Sequence, residues 1–176
     1  MAKLYTKSGD DGFTSCGFGK RVKKSTEIIE LYGSLDELSC YLAYAAEALL
    51  VSKLEAELLL KTIYRVQREL FELGSFLSSE GKSNFSFYYV AQLENEIDII
   101  STKLPVLESF ALPSGGECAV RIHLARAVCR RAERSSFALG NKNGQIAGIY
   151  LNRLSDLLYA AARLTAVISN AEEILV

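Results

Sequence analysis

The 176-residue sequence contains only two prolines, one histidine and four cysteines. Scarce proline leaves room for long, unbroken helices. Cys16, Cys40, Cys118 and Cys129 form no CxxC pair, and His123 stands alone, so the composition argues against a zinc site. The same scarcity excludes a di-iron carboxylate bundle, which needs Glu-x-x-His pairs on facing helices; Val120 lies three residues before His123. No apolar run approaches the ~18 residues of a membrane span. The opening MAKLYTKSGDDGF lacks the apolar stretch of a secretory signal. The expectation is a cytoplasmic protein with reduced thiols. A net charge of −1 and a pI near 5.9 give no global reason to expect nucleic-acid or membrane binding.

Against this background two features stand out. Residues 1–24 hold Gly9, Gly12, Gly17 and Gly19 together with six lysines and arginines, show no helical period, and read as an orderable loop. From Glu27 onward the pattern changes. Ile28, Leu31, Leu35, Leu38, Leu42, Ala45 and Leu49 recur at spacings of three and four, one face of a helix running to about Leu50. Similar stripes predict helices from about Lys53 to Leu77, Tyr88 to Leu104, Glu117 to Leu139, and Gln145 to Ser169. Pro105 stops the third, and Gly140, Asn141, Asn143 and Gly144 end the fourth. No segment alternates convincingly as a strand. The expected architecture is all-α: one five-helix antiparallel bundle over residues 25–176, preceded by the 1–24 loop.

Charge is distributed less evenly than the net value suggests. Five of the ten arginines lie between Arg121 and Arg134. Arg126, Arg130 and Arg134 fall at i, i+4 and i+8, on one helix face, with Arg131 beside them. Like charges so placed repel, and a guanidinium fork matches phosphate or carboxylate oxygens bidentately. The row therefore points to an anion opposite it, or to a solvated basic face. In the first 24 residues, Thr6, Lys7, Gly9, Gly12, Thr14 and Ser15 supply the amides, hydroxyls and cation that cradle a polyphosphate, although the pattern is not a Walker A loop. A plain flexible arm is the alternative. Asp36, on an otherwise apolar helix, needs a partner if buried, and Arg126 is the candidate; otherwise it is exposed. Asn152 and Asp156 share a face at i, i+4, turned away from Leu154 and Leu158.

These segments together resemble the ATP:cob(I)alamin adenosyltransferases of the propanediol-utilisation type. LYTKSGDDGFTS resembles the family's YTKxGDxGxTS loop, RVKK its RVxK element, and YGSLDELS its YGxxDEL helix. FALPSGG followed by HLARAVCRRAER is similar to its F-x-LPxGG and HxARxxxRRAER stretch, and YLNRLSDLLY to its YLNRLSDLLF. The matches run in order from Leu4 to Arg163; Val51 to Ser109 matches only loosely.

The resemblance implies a cobalamin adenosyltransferase-like, ferritin-like bundle that forms a homotrimer with active sites between subunits. It implies ATP with Mg²⁺ as one substrate and a reduced cobalamin or related corrinoid as the other, with no dedicated protein metal site. By motif position, ATP would meet Thr6, Lys7, Ser8, Gly9, Thr14, Ser15 and Lys24 from the loop, which becomes an ATP-binding segment. Arg130, Arg131, Glu133, Arg134 and Asn152 would complete that site. Arg126 would pair with Asp36 across the subunit contact, and Phe110 would cover the corrin face; with Arg130 these form the implied catalytic set. A flavin reductase and an adenosylcobalamin-dependent enzyme are the implied protein partners.

Overall fold

The structure is a computed structural model that describes every residue except 1, 2, 4, 18, 53 and 108. The described residues form two short strands and five helices: β1 (Phe13–Cys16), β2 (Lys20–Lys23), α1 (Glu27–Ser52), α2 (Glu57–Ser78), α3 (Tyr88–Ser101), α4 (Gly116–Ala138) and α5 (Lys142–Ile168). The expected stripe of α1 is buried from Leu31 through Leu49, with Ile28 half-buried at its edge. It meets Val66 and Leu73 of α2, Leu93 of α3, Ile122 of α4, and Leu151 and Leu154 of α5 in one continuous core. Each fully buried leucine of this kind contributes about 1.5–3 kcal/mol. Helix α4 packs against both α1 and α5, and so carries the arginine-rich segment between two large faces of the bundle. No helix among the described residues is long and apolar enough to cross a membrane.

The structure departs from the sequence reading in three places. The loop before α1 contains an antiparallel hairpin, with Phe13 opposite Lys23 and Cys16 opposite Lys20. Its strands are only four residues each and half-buried at alternate positions in β1, too short and too polar to register as alternation. Asn141 does not end α4 but begins α5: its side chain accepts from the Gly144 amide at 2.9 Å, an N-cap. Such a cap typically contributes about 1 kcal/mol. Helix α2 starts at Glu57, leaving Leu54 in the connection; the expected start at Lys53 lies outside the described residues.

Two glycines fix the ends of the site-bearing segments. Gly115, the residue before α4, has φ = 94°, and a Cβ there would lie 2.5 Å from that of Ala166. Only glycine tolerates both conditions. Gly17, at the turn of the hairpin, lies so close to α2 that a Cβ would meet the Ser78 carbonyl oxygen at 2.0 Å. The hairpin is thereby seated on the end of α2.

Candidate functional site

The N-terminal residues expected to hold phosphate do cluster. Arg21 donates to both oxygens of Asp11 at 2.9 Å and to the Ser8 carbonyl at 3.1 Å, folding the 6–12 loop back over the hairpin. The Lys24 amide donates to the Gly12 carbonyl at 2.9 Å. The Lys24 ammonium comes so near Gly9 that a Cβ there would stand 3.0 Å from it. Thr6 and Ser8 hydroxyls share a hydrogen bond of 2.7 Å. Lys7 adopts φ = 59°, a left-handed backbone unusual for a side-chain-bearing residue and typical of functional sites. Thr6, Lys7, Ser8, Ser15 and Lys24 are exposed; Gly9 and Thr14 are half-buried.

The second group lies on α4 and α5. Glu133 accepts from the Asn152 side-chain amide at 3.0 Å and faces Arg130 at 3.8 Å. Arg134 donates back to the Arg130 carbonyl at 3.0 Å. Arg131 leaves this row and pairs with Glu37 of α1. Arg126 lies against Tyr159, its guanidinium carbon 6.0 Å from the ring centroid. Arg126, Arg130, Asp156 and Tyr159 border a cavity of about 300 Å³. Tyr159 escaped the sequence reading, although its i+7 spacing from Asn152, three beyond Asp156, places it on the same face.

Several polar atoms in this region lack partners. Among the described residues, the buried side-chain atoms without a hydrogen bond are Arg121 Nε, His123 Nδ1, Arg126 Nε, Arg131 Nε and Glu133 Oε2. All five belong to α4. Buried polar groups are ordinarily satisfied, and an unmet one costs about 1–3 kcal/mol. Burial pulls the His123 imidazole below its usual range, the Arg126 charge adds to this, and the Glu173 carboxylate opposes it. His123 is thus held neutral. Burial likewise pushes the Cys129 thiol far up, with Glu133 reinforcing the effect, so this cysteine is an inert packing group.

The remaining expected residues separate. Asp36 is exposed rather than buried, and borders a cavity of about 580 Å³ with Ser15, Cys16, Tyr32 and Gln67. That cavity shares no residue with the one bordered by Arg126. Within one chain Asp36 and Arg126 do not pair, and among the described residues no hydrogen bond or ion pair joins the Thr6–Lys24 loop to the α4 row. Phe110 is 88 % exposed, on the loop between α3 and α4. The chain thus carries two incomplete groups: a cationic, hydroxyl-rich loop beside Asp36, and a row of arginines with unmet hydrogen-bonding capacity.

Known proteins share both the sequence pattern and the fold. The family profile described as cobalamin adenosyltransferase matches residues 4–165. The corrinoid adenosyltransferase MMAB of Mus musculus is 37% identical over 185 residues, covering 98% of this chain and 76% of that protein. A corrinoid adenosyltransferase of Bacillus subtilis is 40% identical over 171 residues, covering 92% of this chain and 85% of the relative. Among solved structures, a variant PduO-type ATP:corrinoid adenosyltransferase from Lactobacillus reuteri, complexed with cobalamin and ATP, superposes with a TM-score of 0.87. It is 29% identical, and the match covers 99% of both chains. With the profile spanning nearly the whole chain and the fold matched from end to end, the chain belongs to the cobalamin adenosyltransferase family.

Proposed function

We propose that this protein transfers the 5′-deoxyadenosyl group of ATP to the cobalt of cob(I)alamin or a related corrinoid, releasing triphosphate, at sites shared between neighbouring subunits of a cytoplasmic homotrimer. The observation that supports this reading is the concentration of unmet buried polar atoms on α4, beside an arginine row whose one ion pair among the described residues is Arg130 with Glu133 at 3.8 Å. A polyanion offers acceptors to the guanidinium donors among them, Arg126 Nε and Arg131 Nε. The division of the site residues between two faces of one chain supports placing the site at a subunit junction, where the loop and Asp36 of one copy face the α4 row of the next.

The chemistry requires little of the protein's own nucleophiles. The cobalt lone pair of the reduced corrinoid attacks the ribose 5′-carbon, the cobalt–carbon bond forms, and the C5′–O bond breaks, its electron pair leaving with triphosphate. Negative charge gathers on the leaving group, and Arg130, Arg134, Lys7 and Lys24 stabilise it by preorganised electrostatics. Gly9, Thr14 and Ser15 bind phosphate oxygens through amides and hydroxyls, and Asn152, fixed by Glu133, orients the nucleotide. Glu133, whose Oε2 is buried without a hydrogen bond, would hold Mg²⁺, which would supply further charge neutralisation. Phe110 offers an apolar surface that keeps water and the displaced base from the lower corrin face, which favours four-coordinate cobalt and eases reduction of Co(II) by a reductase.

Mixing the protein with ATP, Mg²⁺ and chemically reduced cob(I)alamin is expected to produce the visible spectrum of a cobalt–carbon bond, continuing past one equivalent per subunit. No spectral change, or a halt at one equivalent, rejects enzymatic transfer. Asp36 and Arg126 give a separate expectation for the junction. Asp36→Arg and Arg126→Asp alone should each weaken assembly, because breaking one partner of a buried pair costs about 3–5 kcal/mol. The double reversal should restore more trimer than either single change, as read by light scattering. Equal loss in all three variants removes the pairing.

A further inference from the structure

Phe110 has an unusual mechanical problem. The residue is 88 % exposed in the single chain, so packing within the chain does not fix its direction. The backbone must do so, and the backbone around it is held by a distant segment. The Val176 amide donates to the Phe110 carbonyl at 2.9 Å, and the Leu112 amide donates to the Ile174 carbonyl at 2.8 Å. Ala111 and Leu175 form an antiparallel bridge. The Ile174 amide donates to Ser114 Oγ at 2.8 Å, and that hydroxyl donates to the Leu112 carbonyl at 2.9 Å. Residues 174–176 thus act as a short second strand for the 110–112 loop.

Among the described residues, the side-chain hydrogen bonds that tie that strand to the bundle come from Arg163. Arg163 is 6 % exposed, in a turn of α5 otherwise lined by Ala160, Ala162 and Ala166. Its Nε donates to both Glu173 oxygens at 3.1 Å, and its terminal nitrogen reaches Glu173 Oε2 at 3.1 Å and the Pro105 carbonyl at 3.0 Å. One guanidinium fork therefore joins α5, the start of the Phe110 loop and the strand that pairs with it. It also borders the cavity of Arg126 and Arg130. A buried ion pair stabilises a fold only modestly, and specifying one arrangement is a role such pairs can fill.

We propose that Arg163 is a positioning residue for the adenosyltransfer reaction, acting through Glu173 to hold Phe110 in its working direction. This rests on the role assigned to Phe110 under the proposed function. Lysine cannot replace the fork, because a single ammonium cannot meet both carboxylate oxygens and the Pro105 carbonyl in this planar arrangement. Glu173 lies outside the helical bundle, so its loss releases the strand while leaving the core intact.

The test compares the full-length wild type with Glu173→Ala, Arg163→Lys and Glu173→Gln. Amide hydrogen exchange at Leu112 and Val176, without any substrate, should accelerate about tenfold in Glu173→Ala while core amides of α1 stay protected. With cob(II)alamin and ATP bound, the same variant should lose most of the five-to-four-coordinate spectral shift. Its turnover starting from Co(II) and a reductant should fall about tenfold. Turnover starting from chemically prepared Co(I), and the KM for ATP, should change less than about twofold, because the nucleotide contacts lie elsewhere. Arg163→Lys should reproduce the faster exchange and the loss of the spectral shift, and Glu173→Gln, which keeps an oxygen acceptor, should fall between wild type and Glu173→Ala. Unchanged exchange at Leu112 overturns the clasp. Faster exchange with a wild-type spectral shift overturns its bearing on the reaction. Loss of Co(I) turnover to the same extent as Co(II) turnover overturns the positioning role in favour of general destabilisation. A wild type that forms no cobalt–carbon bond rejects the proposed function, and the Arg163 assignment with it; a competent wild type with unaffected variants rejects Arg163 alone.

Discussion

Arg130→Ala is expected to lower turnover about 10²–10³-fold, the scale on which removing one preorganised charge-stabilising donor acts. The structure makes this a clean experiment. The Arg130 side chain is 49% exposed, and its one ion pair among the described residues, to Glu133, spans 3.8 Å. Exposed pairs of this kind contribute only about 0–1 kcal/mol to stability. The variant should therefore keep the wild-type thermal midpoint within a few degrees while losing activity. Steady-state rates with ATP and prereduced cob(I)alamin, measured beside thermal unfolding, separate the two quantities. Turnover within a factor of three of wild type would remove Arg130 from the reaction.

Glu69→Ala should have the opposite profile, a large loss of stability with no direct effect on chemistry. Glu69 is 3 % exposed and central to a network joining three helices. Tyr150, fully buried, donates to its Oε2 at 2.7 Å; Arg65 pairs with its other oxygen and reaches Glu96 of α3 at 2.8 Å. Burial, with the Glu69 charge and hydrogen bond behind it, holds the Tyr150 phenol firmly protonated. Truncating Glu69 leaves the Arg65 charge facing Glu96 alone and the Tyr150 hydroxyl without an acceptor, a loss of about 3–5 kcal/mol. Replacing the set together, with Arg65→Leu, Glu69→Leu, Glu96→Gln and Tyr150→Phe, should recover most of it, since a neutral substitute for a buried ionic network is often near neutral. Chemical denaturation of the single and quadruple variants decides this. A quadruple variant weaker than Glu69→Ala means that the network contributes more than its neutral replacement.

The helices were legible because burial imposes a period on the sequence. Leu31 to Leu49 of α1 and Leu154 to Leu164 of α5 repeat at the interval that the core demands. The arginine row was legible for the same reason, since i, i+4 spacing follows from helix geometry alone. What escaped depends on contacts between distant positions. The β1–β2 hairpin uses eight mostly polar residues, so its pairing leaves little hydrophobic trace. Asn141 carries a turn signal that fits equally the end of one helix and the cap of the next, and only the Gly144 hydrogen bond decides. Tyr150 and Glu69 are 81 positions apart, and Arg163 meets Pro105 across 58. Nothing local in either neighbourhood marks the partner. Asp36 shows a further limit: its sequence context left burial against a partner and simple exposure both open, and a single chain leaves it exposed.

The separation of the loop and the α4 row onto different cavities of one chain has a genetic corollary. Under the proposed sharing of each site between two neighbours, a subunit damaged at Lys7 and a subunit damaged at Arg130 would each be inactive among their own kind. Combined in mixed assemblies, an intact loop from one would meet an intact arginine row from the other at some junctions, and activity would return. Two recessive lesions in this gene would then rescue one another, whereas two lesions on the same side would not.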